Sequence, residues 1–226
     1  MPRDRVSEVS DDHSFIPGIH NYCDRWCERC TLKHRCETPL TRTRHDTCAK
    51  SDGLVTVTIA VPTPDALIAM APFPRQRRLL DLAKDYAIGA NVHLEQAGPT
   101  LDKLRKDLPA PERPRLDDAV AVLCWYSVTL FAKLGRAVGQ CSPAILRKGP
   151  HVADDVDGSA KVALLGIDRS LRAWADLRRM GHRDSPGPSS FRRDLRKLRA
   201  RVLAEFPNAP RFHRPGFDEP SAEESS

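Results

Sequence analysis

The sequence contains no apolar run of the roughly 18 to 20 residues that are needed to span a bilayer. Its opening stretch, MPRDRVSEVSDDHSFIPGIH, carries scattered acids and no continuous apolar region, so it does not resemble a secretory signal. These two absences argue against the membrane and secreted classes. We therefore expect a cytoplasmic protein that does not contact a membrane.

The common catalytic motifs are also missing. The chain has no G-x-S-x-G, no phosphate-binding loop, no dinucleotide fingerprint and no H-E-x-x-H. Carboxylate-bridged metal sites in helical bundles need a Glu-x-x-His pair on each of two helices, and neither pair is present, although His93 and Glu95 lie close in sequence. The sequence therefore names no substrate and leaves open whether the protein is an enzyme.

What the sequence does contain is typical of a folded, soluble protein. Hydrophobic residues make up 40% of the chain and charged residues 29%. The formal net charge of +6 is compatible with attraction to nucleic acid, but it is too small to require it. Charge alone therefore leaves the partner unknown.

Composition divides the 226 residues into five stretches. The first is charged and aperiodic, the second holds most of the cysteines, and the third has four prolines after an alternating segment at 54–61 that is the best strand signal of the chain. The fourth is helical and the last is rich in proline and acids. We predict a disordered leader at 1–14, a cysteine-rich metal module at 15–52, an extended linker at 53–74, a helical domain at 75–206 and a loose tail at 207–226.

Apolar residues in the fourth stretch recur with the spacing of amphipathic helices. The predicted helices run from Arg75 to about Gly98, from Leu116 to Gly139, from Asp154 to about Met180 and from Phe191 to Phe206. Four such helices with links of about ten to twenty residues are typical of a bundle. We predict an all-α helical bundle of about four helices with an N-terminal cysteine-rich metal-binding module.

Four of the seven cysteines lie within NYCDRWCERCTLKHRC, with the spacing C-x3-C-x2-C-x5-C. In a reducing compartment, clustered thiols favour a metal over a disulfide framework. A metal also neutralises the charge that several thiolates would accumulate. We predict a metal centre with the ligands Cys23, Cys27, Cys30 and Cys36, and with Cys48, His34 and His45 in reserve. The alternative is a loop of metal-free cysteines held by packing.

The ligand types leave the metal open, because four thiolates suit both zinc and an iron–sulfur cluster. The compact four-cysteine set is closer to iron–sulfur sites. A zinc site would instead pair Cys27 and Cys30 with the H-x2-C of His45 and Cys48. An iron–sulfur cluster would imply a redox partner, whereas zinc would stabilise the module.

Three stretches of the chain resemble an uncharacterised family of bacterial proteins. They are FIPGIHNYCDRWCERC, WYSVTLFAKLGRA and DGSAKVALLGIDRSLRAW. The resemblance carries no known activity with it. It implies that the cysteine module and the helices belong together as one unit.

Charged residues interrupt the apolar stripes of the second and third predicted helices. If these helices face each other, Lys133, Arg136, Lys161 and Asp168 would meet in an ion network that binds an anion or fixes the register of the helices. The alternative is that these side chains reach the surface and form ordinary pairs there.

The fourth predicted helix, FRRDLRKLRARVLAEF, carries two rows of basic residues beside its apolar seam. Arg192, Arg196 and Arg199 form one row, and Arg193, Lys197 and Arg201 form the other. Rows of guanidinium groups at helical pitch suit the phosphates of nucleic acid. We therefore carry three hypotheses: a redox or structural metal protein, a zinc-stabilised nucleic-acid-binding protein, and a metal-free helical scaffold. A solvated helix face is the alternative for the two rows.

Overall fold

The structure, a computed structural model, describes residues 15–36, 63–141, 150–182 and 187–219. Contacts divide the chain into two compact units. The cysteine-rich unit comprises residues 1–20, 25–56 and 214–226, and the helical unit comprises residues 21–24 and 57–213. The predicted leader, the strand signal at 54–61 and the reserve ligands His45 and Cys48 lie outside the described residues.

The described part of the helical unit contains six α-helices and no strand, which confirms the all-α prediction. A proline occupies the first or second position of each helix, where its missing N–H is not needed and its fixed φ suits the helix. The helices are α1 Pro64–Met70, α2 Pro74–Gln96, α3 Gly98–Asp107, α4 Arg113–Gly139, α5 Pro150–Arg179 and α6 Pro188–Glu205.

Two of these helices, α1 and α3, exceed the predicted number of about four. Helix α1 lies in the stretch predicted as an extended linker, and its start is stabilised by Thr63, whose Oγ1 accepts a hydrogen bond from Ala66 N at 3.3 Å. Helix α3 begins directly after α2, with only Ala97 between them. Prolines that we interpreted as linker residues therefore mark helix starts.

The core lies where α4 packs against α2 and α5, and where α6 packs against α2 and α5. Trp174 of α5 is fully buried, its ring stacks on Phe191 of α6 with centroids 4.6 Å apart, and its Nε1 donates to Tyr86 Oη at 3.1 Å. Beside these rings, His93 Nε2 lies 2.9 Å from His182 Nε2, so one imidazole donates and the other accepts. The aromatic cluster therefore joins α2, the end of α5 and the start of α6.

Small residues on α5 let α4 approach closely. Ser159, Ala160 and Ala163 of α5 are buried. A Cβ at Gly166 would lie 2.6 Å from Tyr126 Cδ1, a distance that real Cβ atoms do not reach. The tight packing of α4 on α5 therefore depends on a glycine at this position.

Helix α4 with the turn before it, Ala110–Gly139, is long and apolar enough to cross a membrane by length and composition. It is also a central helix of the bundle, with Leu123, Leu130 and Leu134 buried among its neighbours. Core helices of soluble proteins pass the same test of composition. The expected lack of membrane contact stays a prediction.

The predicted loose tail is described as far as residue 219, and the part that belongs to the helical unit is packed. Ala209 is fully buried in the 3₁₀ turn Ala209–Arg211, and Lys161 Nζ donates to Pro210 O at 2.6 Å. The Phe212 ring lies 5.1 Å from the Tyr22 ring. This segment is therefore fixed to α5 rather than loose.

Candidate functional site

The described part of the cysteine-rich unit, residues 15–20, 25–36 and 214–219, buries few side chains. Among these residues only Ile19 and Cys36 are buried. Their regular structure consists of 3₁₀ turns such as Cys27–Arg29 and Lys33–Arg35, closed by a hydrogen bond from Ile16 N to Arg35 O at 3.1 Å. Apolar burial within these three segments therefore contributes little to their stability.

The C-terminal residues 214–219 pack against the N-terminal part of the unit at Gly216. Gly216 has φ 78, and a Cβ there would lie 2.5 Å from Ile16 Cδ1 and 3.4 Å from Leu32 Cδ1. Arg214 binds Asp218 in the same turn, with Nη2 and Oδ1 2.6 Å apart. A few aliphatic side chains around one glycine thus make up the visible packing of the unit.

Three of the four predicted ligands lie in this unit. Cys27 begins a 3₁₀ turn, Cys30 ends it with its N–H bonded to Cys27 O at 3.3 Å, and Cys36 follows the next turn. Cys27 and Cys30 are partly exposed and Cys36 is buried. No disulfide bond joins the cysteines of the described residues.

The backbone between the predicted ligands is strained at one residue. Arg25 has φ 59, which a residue with a Cβ rarely adopts. Next to it, the Arg29 guanidinium lies 4.0 Å from the centre of the Trp26 ring. Strain of this kind costs about 1–3 kcal/mol and is often found at functional sites.

The described residues do not present a preformed metal site. No three side chains of His, Cys, Asp or Glu in this part of the chain are grouped closely enough to hold a metal ion. The reserve ligand His34 is exposed in the turn Lys33–Arg35.

The fourth predicted ligand, Cys23, lies in the segment 21–24 of the helical unit, and its neighbour Asp24 is bound by three side chains. Trp125 Nε1 donates to Asp24 O at 3.0 Å, and Arg169 Nη1 lies 2.8 Å from Asp24 Oδ2. The Tyr126 hydroxyl donates to the same carboxylate and accepts from Arg169. Helices α4 and α5 therefore fix the residue that follows Cys23.

The residues before Cys23 are fixed as well. The Tyr22 ring packs where a Cβ at Gly158 would overlap it, so α5 needs a glycine there. Asn21 receives two hydrogen bonds from α4, from Lys133 Nζ to its carbonyl oxygen at 3.3 Å and from Arg136 Nη2 to its Oδ1 at 3.0 Å. The helical unit thus holds Cys23 from both sides.

No family model, no curated protein and no solved structure matches this chain. The resemblance to an uncharacterised bacterial family therefore stays a prediction.

The structure does not bring the predicted ion network together. Lys133 and Arg136 meet at Asn21, and Arg136 also pairs with Asp155 at 2.7 Å. Lys161 binds the carbonyl of Pro210, while Asp168 pairs with Arg199 at 2.9 Å. The four charges do not form one network, because the pair on α4 faces Asn21 while Lys161 and Asp168 of α5 face Pro210 and α6.

The two basic rows of α6 also separate into different environments. Arg199 is paired with Asp168, and Arg193 and Lys197 lie 3.9 and 3.6 Å from Asp194. Arg201 is exposed. Arg192 is affected by the positive charges of Arg178 and Arg179 of α5 as well as by that of Arg196, and the sequence did not indicate the two arginines of α5.

Reasoning from the sequence also missed the residues that hold the segment around Cys23. Asp24 and Arg169 are 145 positions apart, and no pattern in a single sequence pairs them. The nearest signal was Trp125 and Tyr126, two adjacent aromatic residues with polar atoms in an otherwise aliphatic helix. Such residues usually find a hydrogen-bond partner when they are buried.

An apolar groove opens on another side of the helical unit, with a volume of about 370 Å³. Ile88, Val92 and Val128 line it and are 45 to 61% exposed. No polar cluster for catalysis is found among its lining residues, which are Pro64, Lys84, Ala87, Ile88, Asn91, Val92, Val128 and Phe131.

Proposed function

We propose that this protein binds a metal through cysteine sulfur, with Cys23, Cys27, Cys30 and Cys36 as ligands. The metal is an iron–sulfur cluster or zinc, and its role is redox or structural. The observation that supports the proposal is how little the described part of the cysteine-rich unit buries, namely Ile19 and Cys36 alone. The spacing of the sequence adds Cys23 as the fourth ligand.

The physical reason lies in the conformational entropy of the chain. Ordering each residue costs about 1–2 kcal/mol, and the burial of one isoleucine and one cysteine offsets little of that cost. Protein units with so small a core usually rely on disulfides or metals. In the reducing cytosol that we expect, the metal is the available choice.

Metal binding would draw the sulfur atoms together. Structural metal sites are rarely assembled before the metal arrives, so the free energy of binding becomes free energy of folding. The basic side chains of Arg25, Arg29, Lys33 and Arg35 in the same unit offset the negative charge of the thiolates. The unit therefore suits a negatively charged cysteine–metal centre of either kind.

The test is purification without oxygen, followed by measurement of iron, sulfide, zinc and the visible spectrum. Iron with sulfide would identify a cluster and imply a redox partner, whereas stoichiometric zinc would identify a structural site. The variant Cys27→Ser/Cys30→Ser should lose nearly all of the metal. Cys124→Ser is the matched control, because Cys124 is an exposed cysteine of α4.

Wild-type protein without metal, or a double variant that keeps its metal and its melting temperature, would contradict the proposal. The remaining candidate would then be the metal-free helical scaffold that binds another protein. The groove lined by Ile88, Val92 and Val128 would be the surface to examine first, because exposed apolar side chains in a groove are typical of interaction sites.

A further inference from the structure

Helices α5 and α6 pack side by side in opposite directions. Arg199 of α6 pairs with Asp168 of α5 at 2.9 Å. Further along α5, the Trp174 ring stacks on Phe191, which lies earlier in α6. The last turn of α5 and the first turn of α6 are therefore neighbours.

Four arginines lie at this end of the two helices. Arg178 and Arg179 belong to the last turn of α5, and Arg192 and Arg196 are one turn apart near the start of α6. Burial, together with the positive charges of the other three, lowers the pKa of the Arg192 guanidinium. We call these four residues the arginine surface.

Acidic residues neutralise little of the arginine surface. Asp176 pairs with Arg179, but it also binds Arg115 of α4 at 2.8 Å. Arg178, Arg192 and Arg196 form no ion pair with the described residues. Three of the four side chains are exposed, and that of Arg192 is partly exposed. Among the described residues, only Asp176 therefore offsets any of the charge of the surface.

We propose that the arginine surface binds the phosphate backbone of a nucleic acid. Each guanidinium presents paired donors that match a phosphate, and a chain of phosphates supplies several negative charges at once. Binding would relieve the mutual repulsion of the four arginines. Because contacts to phosphates do not read the edges of the bases, we expect affinity without sequence preference.

A membrane and an acidic protein fit the surface less well. The apolar side chains of α6, such as Phe191, Leu195 and Leu198, are buried, so the helix has no apolar face to insert between lipids. Protein interfaces usually include aromatic or aliphatic anchors. The exposed large hydrophobic residues of the described part lie on other segments: Phe15, Met70, Phe73, Ile88, Val92 and Val128.

The experiment measures binding of the full-length, metal-containing protein to labelled single-stranded and duplex DNA across a range of salt concentrations. The test variant is Arg178→Gln/Arg192→Gln/Arg196→Gln. The control, Arg78→Gln/Arg201→Gln/Arg211→Gln, removes the same charge from exposed residues outside the surface. Arg201 lies on α6 about 13 Å along the helix axis from Arg192.

We expect wild type and control to bind with affinity that falls as salt rises, and the test variant to bind at least about tenfold more weakly at low salt. Three lost duplex phosphate contacts reduce the slope of log affinity against log salt by about 2.7, which is ~40-fold over a fourfold change in salt. A flatter salt dependence in the test variant alone would support the arginine surface.

Three results would overturn the proposal. The first is no binding by wild type at low salt. The second is an equal loss in both triple variants, which would reduce the effect to net charge. The third is unchanged DNA binding in a test variant that no longer binds anionic vesicles, which would assign the surface to a membrane.

Melting curves of both triple variants check that they fold. If the test variant unfolds, the single changes Arg178→Gln and Arg196→Gln replace it, since both side chains are exposed. Each should lower the duplex slope by about 0.9. An unchanged slope in both single variants would overturn the proposal.

Discussion

The helical unit and the cysteine-rich unit differ in what holds them together. The helical unit buries apolar stripes on several long helices, including fully buried Leu123, Leu130 and Trp174. The described part of the cysteine-rich unit buries only Ile19 and Cys36, yet it carries three of the four clustered cysteines. Burial of apolar surface thus stabilises the helical unit, whereas in our proposal a few strong metal–sulfur bonds stabilise the cysteine-rich unit.

This difference teaches where each unit is vulnerable. Stability from burial is spread over many side chains, so it declines with the volume that a substitution removes. Stability from metal ligands is concentrated in a few atoms and is lost when one or two are changed. Substitutions can therefore be chosen that affect one unit and spare the other.

The largest effect should come from Trp174→Ala in the helical core. Removing a fully buried ring that stacks on Phe191 should lower the free energy of unfolding by about 3–5 kcal/mol, because a cavity remains. Urea denaturation followed by far-ultraviolet circular dichroism measures the change. Metal content of the folded protein should stay at the wild-type level.

The matched control for this prediction is Val128→Ala, which truncates a side chain that is 61% exposed. Its effect should stay within about 0.5 kcal/mol. A loss below about 1 kcal/mol for Trp174→Ala would mean that burial does not dominate the helical unit.

Two glycine-to-alanine substitutions should change the stability of the helical unit in opposite directions, by less than Trp174→Ala does. Gly166→Ala places a Cβ 2.6 Å from Tyr126 Cδ1 and should destabilise the helical unit by about 1–3 kcal/mol. Gly139→Ala meets no described atom within 4 Å and should stabilise it by about 0.4–1 kcal/mol, because alanine favours the helix. Thermal melts of the two variants in parallel provide the measurement, and melting temperatures that shift in the same direction would contradict it.

A smaller, local effect should follow from Gly216→Ala in the cysteine-rich unit. Gly216 has φ 78, and the new methyl group would meet Ile16, so this unit should lose about 1–2 kcal/mol of local stability. Hydrogen exchange of residues 15–20 and 25–36 should become faster, while exchange in α4 and α5 stays the same.

Gly181→Ala provides the control, because it introduces a similar backbone penalty at φ 106 in the helical unit. It should accelerate exchange near the end of α5 and leave residues 15–20 and 25–36 unchanged. Equal acceleration of both regions by either variant would show that the units do not respond independently.

The smallest effect concerns reactivity rather than stability. Burial, with the charges of Glu205 and Asp157, raises the pKa of the Cys141 thiol to about 11. Only the thiolate reacts, so at pH 8 about one Cys141 in a thousand is reactive, and alkylation should accelerate ~100-fold on going to pH 10. Mass spectrometry after iodoacetamide treatment measures the rate.

The same experiment compares the two units directly. In metal-depleted protein, Cys27 and Cys30 should react before Cys141, because the raised pKa keeps the Cys141 thiol protonated although all three cysteines are partly exposed. Adding back the metal should protect Cys27 and Cys30 alone. Alkylation of Cys141 at the same rate as Cys30 would contradict the raised pKa of Cys141.

Reasoning from the sequence predicted the helices that periodicity defines. The four predicted helices correspond to α2, α4, α5 and α6, because each carries an apolar stripe long enough to show the 3.6-residue repeat. Helix α1 has seven residues, too few for that repeat to stand out. Its signal was the Thr63 cap followed by proline, a local pattern that we interpreted as a linker.

The cysteine ligands of the candidate site could be predicted from the sequence, but the contacts that hold the chain around Cys23 could not. The cysteine spacing is local, so the sequence alone proposes the ligands. The contacts of Asp24 with Tyr126 and Arg169 join residues more than a hundred positions apart, and they depend on how α4 and α5 pack. The four residues of the predicted ion network contact other residues for the same reason, because helix packing determines which groups lie opposite each charge.

By itself, the sequence determined the all-α class, the position of the long helices and the cysteine motif, because periodicity and spacing are properties of neighbouring residues. Only the tertiary structure decided that Tyr22 and Asp24 fix the chain on both sides of Cys23, and that Arg178 and Arg179 join Arg192 and Arg196. These are contacts between distant segments, and they depend on where a glycine or a small side chain lets two helices approach.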